Sequence, residues 1–391
     1  TVMSILLRKF YEETQDTFEL QLLAGAEGLD NDISWIYLYE DMDNMDFLRG
    51  GELTITTGMM SKNDPNWLSN LIKALTKTHS AGLIINVGKY IKPEAITQDL
   101  IDLCNERHFP LLTMPWHIFL RDIVEDCSNR ILLAKQTEHT LHHIITNAIV
   151  DPTKERSFVD ELAAQGYHFT SLTIAILEMD TPELTAKDYD LLYSVIKSVF
   201  NRLDLNPILC RYRNQVMLTF LNGETEAKHK YFGEITAEWH RSGHRKPLIL
   251  GESTVHSHPH VATAWQEAAF TVKLAKFKGK DCLSFTDLDA YRLLFNTHNR
   301  PLLESMRNHN LQALKDYDTA YNTALVETLR TYLSNNGNAV LTAQALFTHR
   351  NTVSYRLEKI KSILGEDLSS SQTIFNLTLA FYIDDYLNIV K

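Results

Sequence analysis

The spacing of apolar positions changes twice along this chain, and the changes divide it into three regions. In the first, short β-branched runs alternate with stretches whose apolar residues recur every three or four positions. ISWIYLY (33–39), ELTITT (52–57), GLIINV (82–87) and PLLTM (110–114) predict strands. PNWLSNLIKALTKTHS (65–80) and PEAITQDLIDLCNERH (93–108) predict helices, each with a proline near its start, where a helix tolerates one. Strand, helix, strand, helix, strand predicts a mostly parallel sheet with crossover helices. A longer helical stretch follows from about Ile118 through Ile149 and breaks near Asp151-Pro152.

The second region begins with strand LTIAILEM (172–179) and helix KDYDLLYSVIKSVFNRL (187–203). ILCRYR (208–213) and QVMLTFL (215–221) lie too close together for anything but a tight hairpin. A helix around Tyr231 to Arg241, strand PLILGES (247–253), helix HVATAWQEAAFTVKLAKF (260–277) and the short strand CLSF (282–285) follow. The order β-α-β-β-α-β is that of a ferredoxin-like α+β sandwich. From Thr286 onward the pattern is helical only. The expected architecture is multidomain: an α/β domain with a mostly parallel sheet over 1–135, a linker helix and α+β domain over 136–300, and an all-α region over 301–391.

Composition narrows the class. With 391 residues, 44% hydrophobic and 22% charged, two to three domains can each bury a core. No apolar run approaches the roughly 20 residues that cross a bilayer, and TVMSILLRKF lacks the pattern of a signal peptide, so a cytoplasmic protein without a membrane partner is expected. Cys104, Cys127, Cys210 and Cys282 are far apart and form no C-x-x-C pair, which favours buried thiols over disulfides or zinc. A net charge of −11 repels nucleic acid at long range, so any contact with DNA requires a local positive patch.

One such patch exists: Arg350, Arg356, Lys359 and Lys361 fall within a dozen residues. A helix ending near Tyr332 to Leu333 runs into NNGN, where Gly337 suits a left-handed C′ position and Asn338 a cap. AVLTAQALF then puts Val340, Ala343 and Phe347 on one side. Thr348 is the expected N-cap of a helix from about Arg350 to Leu364, closed by Gly365. At about 100° per residue, Val353, Leu357, Ile360 and Leu364 share a narrow arc facing the core. Asn351, Ser354, Tyr355 and Lys359 lie opposite, with Thr352 beside them, Arg350 and Arg356 on the flanks and His349 just ahead. Glu358 is the exceptional acid. Two short helices joined by a tight turn, the second one basic, form a helix-turn-helix candidate. Its polar face suits a major groove, with Arg350, Asn351 and Ser354 placed to read bases. The plainer reading is a solvated helix face. Cap, turn, preceding helix and charge segregation together favour DNA.

LVETLRTYLSNNGNAVLTAQALFTHRNTVSYRLEKIKSILGEDL resembles the C-terminal helix-turn-helix of PucR/CdaR-type bacterial transcription regulators, most specifically at HRNTVSYRLEKI. LLAGAEGLDNDISWIYLYED and FLRGGELTITTG resemble the sensor domain of the PucR branch. The resemblance implies a degenerate relative of diguanylate cyclase (GGDEF) domains in the middle. It also implies a regulator, often an activator of catabolic genes, that responds to a small metabolite such as a purine derivative, amino acid or sugar acid. An active cyclase would carry Gly-Gly-Asp/Glu-Glu-Phe at the central hairpin, because carboxylates there hold metal ions. CRYRNQVMLTF has Arg213 and Asn214 at the turn instead, so no catalytic residue or cofactor is expected and the domain reads as a spacer or dimerisation element.

Other candidates are weaker. His256, His258 and His260 cluster, and His139 and His143 have a zinc-like i,i+4 spacing, but neither group has nearby cysteines or a convincing acidic partner, so no metal is expected. Ligands of parallel sheets bind beyond the carboxyl ends of strands, which points to Glu40, Asp41, Thr56, Thr57, Gly58, Asn86, Gly88 and Trp116 for a small-molecule effector. Gly58 and the threonines could equally serve a turn and a cap. SSSQTIFNLTLAFYIDDYL starts with a capping-box pattern at Ser369 and Gln372. Its helix is apolar on two sides, Ile374, Leu377 and Phe381 on one and Phe375, Leu379 and Tyr382 on the other, which leaves one face for a second helix or a second subunit. A homodimer, or a larger homo-oligomer, would set two recognition helices on a palindromic duplex operator. An α/β enzyme and a protein-interaction module remain the competing classes, although no P-loop, G-x-G-x-x-G or nucleophile elbow is present.

Overall fold

The computed structural model describes residues 5–390 apart from 41–47, 49, 65, 180–184, 204, 213–214, 223–227, 244–245 and 258–259. Two compact units divide the chain: one comprises the residues up to 173 with 178–248 and 255–263, the other 174–177, 249–254 and the chain from 264 on.

The first unit opens with β1 (Ile5–Leu6), α1 (Leu7–Thr14), β2 (Gln21–Ala24), β3 (Asp32–Ile33) and β4 (Trp35–Leu38). β5 (Glu52–Thr56), α2 (Trp67–Lys77), β6 (Gly82–Val87), α3 (Gln98–Glu106) and β7 (Leu111–Pro115) follow. The sheet order is β2-β7-β6-β5-β4, with β4 through β7 parallel and β2 antiparallel to β7 at one edge. The mostly parallel sheet is therefore present. α1 and β2, which no periodicity marked, complete it.

Alternate residues of the strands feed two cores, as a sheet covered on both faces requires. Leu53, Ile55, Ile84, Leu112 and Met114 pack with α1 and with Ile123, Cys127 and Ile131 of the next helix. Leu83, Ile85 and Leu111 pack against Leu68, Leu71, Ile72 and Leu75 of α2 and Leu100 and Cys104 of α3. Leu71, Ile72 and Leu75 are each fully buried, which stabilises the unit by roughly 1.5–3 kcal/mol per side chain.

α4 (Leu120–Val150) is one 31-residue helix. It ends at Asp151-Pro152, as the sequence predicted, and there the Asp151 carboxylate accepts from the Thr153 amide. The boundary expected at 135 falls inside it. Exposed Leu132 and Leu133 separate its two buried stretches, Ile123 to Ile131 and Leu141 to Ile149.

Beyond α5 (Glu155–Ala164) come β8 (Leu172–Met179), α6 (Ala186–Arg202), β9 (Ile208–Tyr212), β10 (Gln215–Leu221), α7 (Lys228–Arg241), β11 (Leu248–Glu252), α8 (Val261–Lys278) and β12 (Cys282–Ser284). Their sheet runs β12-β11-β8-β10-β9. The first four strands thus carry the expected β-α-β-β-α-β sequence in a 4-1-3-2 arrangement, and α8 with β12 adds a fifth strand. β9 and β10 pair antiparallel with Gln215 opposite Tyr212, the register of a tight hairpin. Arg213 and Asn214, expected at its turn, lie outside the described residues. α6 starts with a reciprocal capping box between Thr185 and Asp188.

The rest is helical: α9 (Ala290–Phe295), α10 (Arg300–Tyr321), α11 (Leu325–Ser334), α12 (Ala339–Ala345), α13 (Arg350–Leu364) and α14 (Ser371–Ile389). α14 is capped by Ser370, whose side chain accepts from the Thr373 amide, not by Ser369, which is turned toward Asp367. Its apolar residues divide between two cores. Leu377, Ala380 and Phe381 join α10, α11 and α13, while Ile383 and Leu387, with half-buried Leu379 and Tyr382, join α8, α9 and the start of α10. The face set aside for a second helix or subunit is thus closed largely within the unit. Ile374 is 38% exposed and Phe375 61% exposed. Among the described residues no helix is long and apolar enough to cross a membrane.

Candidate nucleic-acid interface

Asn338 caps α12, its side-chain oxygen accepting from the amides of Val340 and Leu341. The helix stops after seven residues in a Schellman turn: the Phe347 amide donates to Gln344 O at 3.1 Å and the Thr348 amide to Ala343 O at 2.9 Å. Because the turn breaks the helical phase, the expected Val340, Ala343, Phe347 stripe does not form. Ala343 is buried, but Val340 is 45% exposed and Phe347 97% exposed, and Thr342 takes the second inward position. The cap of α13 is His349, whose Nδ1 accepts from the Asn351 amide at 3.2 Å, and not Thr348. Gly365, at φ +67°, closes the helix, and its amide donates to Lys361 O. Val353, Leu357 and Ile360 are buried as expected, with Leu364 half-buried against the same core.

The opposite face sorts the candidate residues into two groups. Arg350, Asn351, Ser354 and Tyr355 are exposed, and among the described residues their side chains make no hydrogen bond or ion pair. Thr352 is half-buried beside them, and His349 is exposed with Nδ1 engaged in the cap. Arg356 and Lys359 turn inward instead. Arg356 donates to Thr328 Oγ1 on α11 at 3.1 Å, and Lys359 Nζ sits 4.9 Å from the centre of the Tyr317 ring on α10. Farther along, Lys361 pairs with Glu358 at 2.9 Å, which holds its ammonium above the usual range. Uncommitted hydrogen-bonding capacity is thus concentrated in the first two turns of α13.

A cluster that sequence reading missed fixes the helices behind this face. Asp384 and Asp385, adjacent and buried on α14, receive cations from three other helices. Asp385 accepts from Arg330 at 2.7 Å, Tyr291 Oη at 2.8 Å and Lys278 at 3.0 Å. Asp384 accepts from Lys315 at 2.6 Å, with Arg330 at 3.7 Å and Arg307 at 4.0 Å. Arg330 also lies over the Phe381 ring at 4.5 Å. Burial, and the hydrogen bond it donates to the Asp385 carboxylate, hold the Tyr291 phenol well above its ordinary range. Two adjacent acids within an otherwise uncharged helix were the available signal.

At the strand ends of the α/β part, the proposed effector residues largely satisfy one another. Glu40 accepts from the Thr57 amide at 2.6 Å, the Met59 amide at 3.1 Å and Thr56 Oγ1 at 3.4 Å, while Thr56 Oγ1 accepts from the Gly58 amide. Asn86 Nδ2 donates to Pro115 O at 2.9 Å. A Cβ on Gly58 would meet Ile91 Cδ1 at 2.2 Å, and one on Gly88 would meet Trp116 Cβ at 2.8 Å, so both glycines allow loops to interlock. Trp116, 39% exposed, stacks edge-on with Tyr90, and Lys89 lies near both rings. Asp41 is outside the described residues. Rings of His139 and His143 are 4.6 Å apart and those of His256 and His260 6.1 Å apart; His258 is not described. Among the described residues no three His, Cys, Asp or Glu side chains gather in a metal-holding group. All four cysteines are free thiols, and burial pushes Cys104 and Cys282 up to about 11 and Cys127 and Cys210 up to about 12.

A short capped helix, a Schellman turn and a second helix with a polar face, packed on a third, define a helix-turn-helix protein. Two stretches of the chain match family models: residues 325–383 match the PucR C-terminal helix-turn-helix domain, and residues 14–131 the purine catabolism regulatory protein-like family. The purine catabolism regulatory protein of Bacillus subtilis (strain 168) is 34% identical over 117 residues, 30% of this chain and 22% of that one. The proline-responsive transcriptional activator PutR of the same strain is 26% identical over 159 residues, 40% of this chain and 39% of that one. The chain therefore spans well under half the length of either relative. The transcriptional activator PmfR of Paenarthrobacter nicotinovorans aligns over 94% of this chain and 95% of that one at 22% identity.

Proposed function

We propose that this protein is a ligand-responsive transcription regulator that reads operator DNA with the N-terminal half of α13. The observation that carries the reading is the exposed, uncommitted set Arg350, Asn351, Ser354 and Tyr355 on the outer face of a helix whose inner face is buried. Asn351 is suited to bidentate contact with adenine and Arg350 to guanine or phosphate. His349, Thr352, Arg356 and Lys359 complete the contacting set, the last two after leaving Thr328 and Tyr317 or through their stems. The relatives' names favour an activator and a small metabolite as effector, taken up by the part within residues 1–135 at the strand ends around Trp116. Residues 136–300 act as a spacer or dimerisation element related to degenerate cyclase domains, and residues 301–391 bind DNA. Two copies on a palindromic site, in the cytoplasm, suit this division of labour.

The test is operator binding by the full chain after selection of its site from random duplexes. Asn351→Ala weakens selected DNA by roughly 1–3 kcal/mol and random DNA far less. Equal losses on both, or no selected sequence, would remove Asn351 from base reading.

A further inference from the structure

The turn ahead of the recognition helix holds an aromatic residue where a helix end favours glycine. Phe347 occupies the C′ position of the Schellman turn at φ +49°, a conformation that disfavours residues with a Cβ and bulky ones most. Other left-handed helix ends in this chain use Gly166, Gly365, Asn322, His79 and His108, and among the described residues Phe347 is the only apolar side chain other than glycine at a positive φ. The ring gains no compensating burial, since Phe347 is 97% exposed. A strained backbone and a solvated phenyl both oppose stability, so the free chain offers no reason for phenylalanine here. Strain of this kind persists where function requires it. Position supplies that function: Phe347 stands two residues before the His349 cap and three before Arg350, at the end of α13 that approaches bases.

We infer that Phe347 is a specificity-determining DNA contact, its ring packing on the C5-methyl of a thymine at the edge of the site read by Arg350 and Asn351. The inference rests on the DNA-binding reading above and adds a base and a residue to it. Thymine's methyl is the apolar group a major groove offers, and a phenyl carried on a hydrogen-bonded turn has only two side-chain torsions to order on meeting it. The basic neighbours favour DNA over a protein partner at this position.

The experiment compares the full-length protein with Phe347→Gly and Asn351→Ala on the selected operator, and repeats the binding with deoxyuridine replacing each thymine singly. Phe347→Gly raises Tm by a few degrees, because the left-handed position is relieved, yet weakens the operator roughly tenfold or more. For the wild type, one deoxyuridine weakens binding about fourfold, the value of one buried methyl, and Phe347→Gly is insensitive to that replacement. If Asn351→Ala weakens the operator while Phe347→Gly does not, the inference is overturned and the DNA-binding reading stands. Unchanged operator binding with lost transcriptional activation would assign the ring to a protein partner and equally overturn it. If the wild type selects no sequence, both readings fall.

Discussion

Asp385 offers the sharpest test of what holds the helices behind the interface. Its side chain is 3% exposed and accepts three hydrogen bonds, from Arg330, Tyr291 and Lys278. Asp385→Asn keeps the shape but replaces one acceptor oxygen with a donor facing cations. Stripping one partner from a fully buried pair costs about 3–5 kcal/mol. The Arg330 and Lys278 side chains keep 37% and 38% exposure, so water can take over part of their solvation. That reduces the expected loss to about 2–3 kcal/mol. At roughly 4 °C per kcal/mol for a unit of this size, Tm falls by about 8–12 °C. Thermal unfolding of the full chain followed by circular dichroism measures it. Glu304→Gln, which removes the exposed pair with Arg300 at 2.8 Å, is the control and costs about 0.3–0.5 kcal/mol. If Asp385→Asn melts with the control, the acidic pair does not brace these helices.

Arg356→Ala destabilises by about 1 kcal/mol through its lost bond to Thr328 while leaving the ratio of operator to random-DNA affinity unchanged. A reduced ratio at unchanged stability would add Arg356 to the base-reading group. A Cβ on Gly251 would lie 2.4 Å from Val272 N and 2.7 Å from Ala268 O, so Gly251→Ala forces β11 away from α8 and costs about 1–3 kcal/mol in denaturant unfolding. A midpoint equal to wild type would mean the strand shifts freely. Burial raises the Glu138 carboxyl above its usual range, with the Tyr193 hydroxyl and Lys197 opposing. The native state then holds this proton to higher pH than the unfolded chain, so its contribution favours folding at low pH and is lost as pH rises through the raised value. Glu138→Gln removes that loss, and its Tm relative to wild type rises between pH 4 and pH 7. A flat difference would refute the assignment.

Periodicity revealed those elements whose partners are local or whose faces are simple. β6 was legible because GLIINV is a continuous apolar run, and α4 because its spacing persists for 31 residues before Pro152. α13 was legible because Val353, Leu357 and Ile360 repeat at helical spacing and Gly365 ends them. β2 was not: four residues at a sheet edge, paired antiparallel to a strand some 90 residues later, carry no alternation to read. Phe347 was misplaced because spacing alone continues a helix that the Schellman turn stops at Ala345. The caps slipped by one residue, from Thr348 to His349 and from Ser369 to Ser370, since adjacent polar residues compete for the same amides. Asp384 and Asp385 stood in plain view, but their partners lie 55 to 107 residues away in sequence and only tertiary packing brings them in. The inward turn of Arg356 and Lys359 is of the same kind: helical phase assigns a residue to a flank, and the neighbouring helix decides which way its long side chain lies.

The measurement that bears most directly on the central claim is the affinity of the full chain for its selected operator and for a scrambled duplex of equal length, as salt is raised. A recognition helix that contacts phosphates and bases gives log K falling linearly with log salt at a slope of about −0.9 per phosphate neutralised, and an operator preference of about a thousandfold or more. Affinity that ignores salt, or that is equal on the two duplexes, would contradict the assignment of α13 to reading DNA.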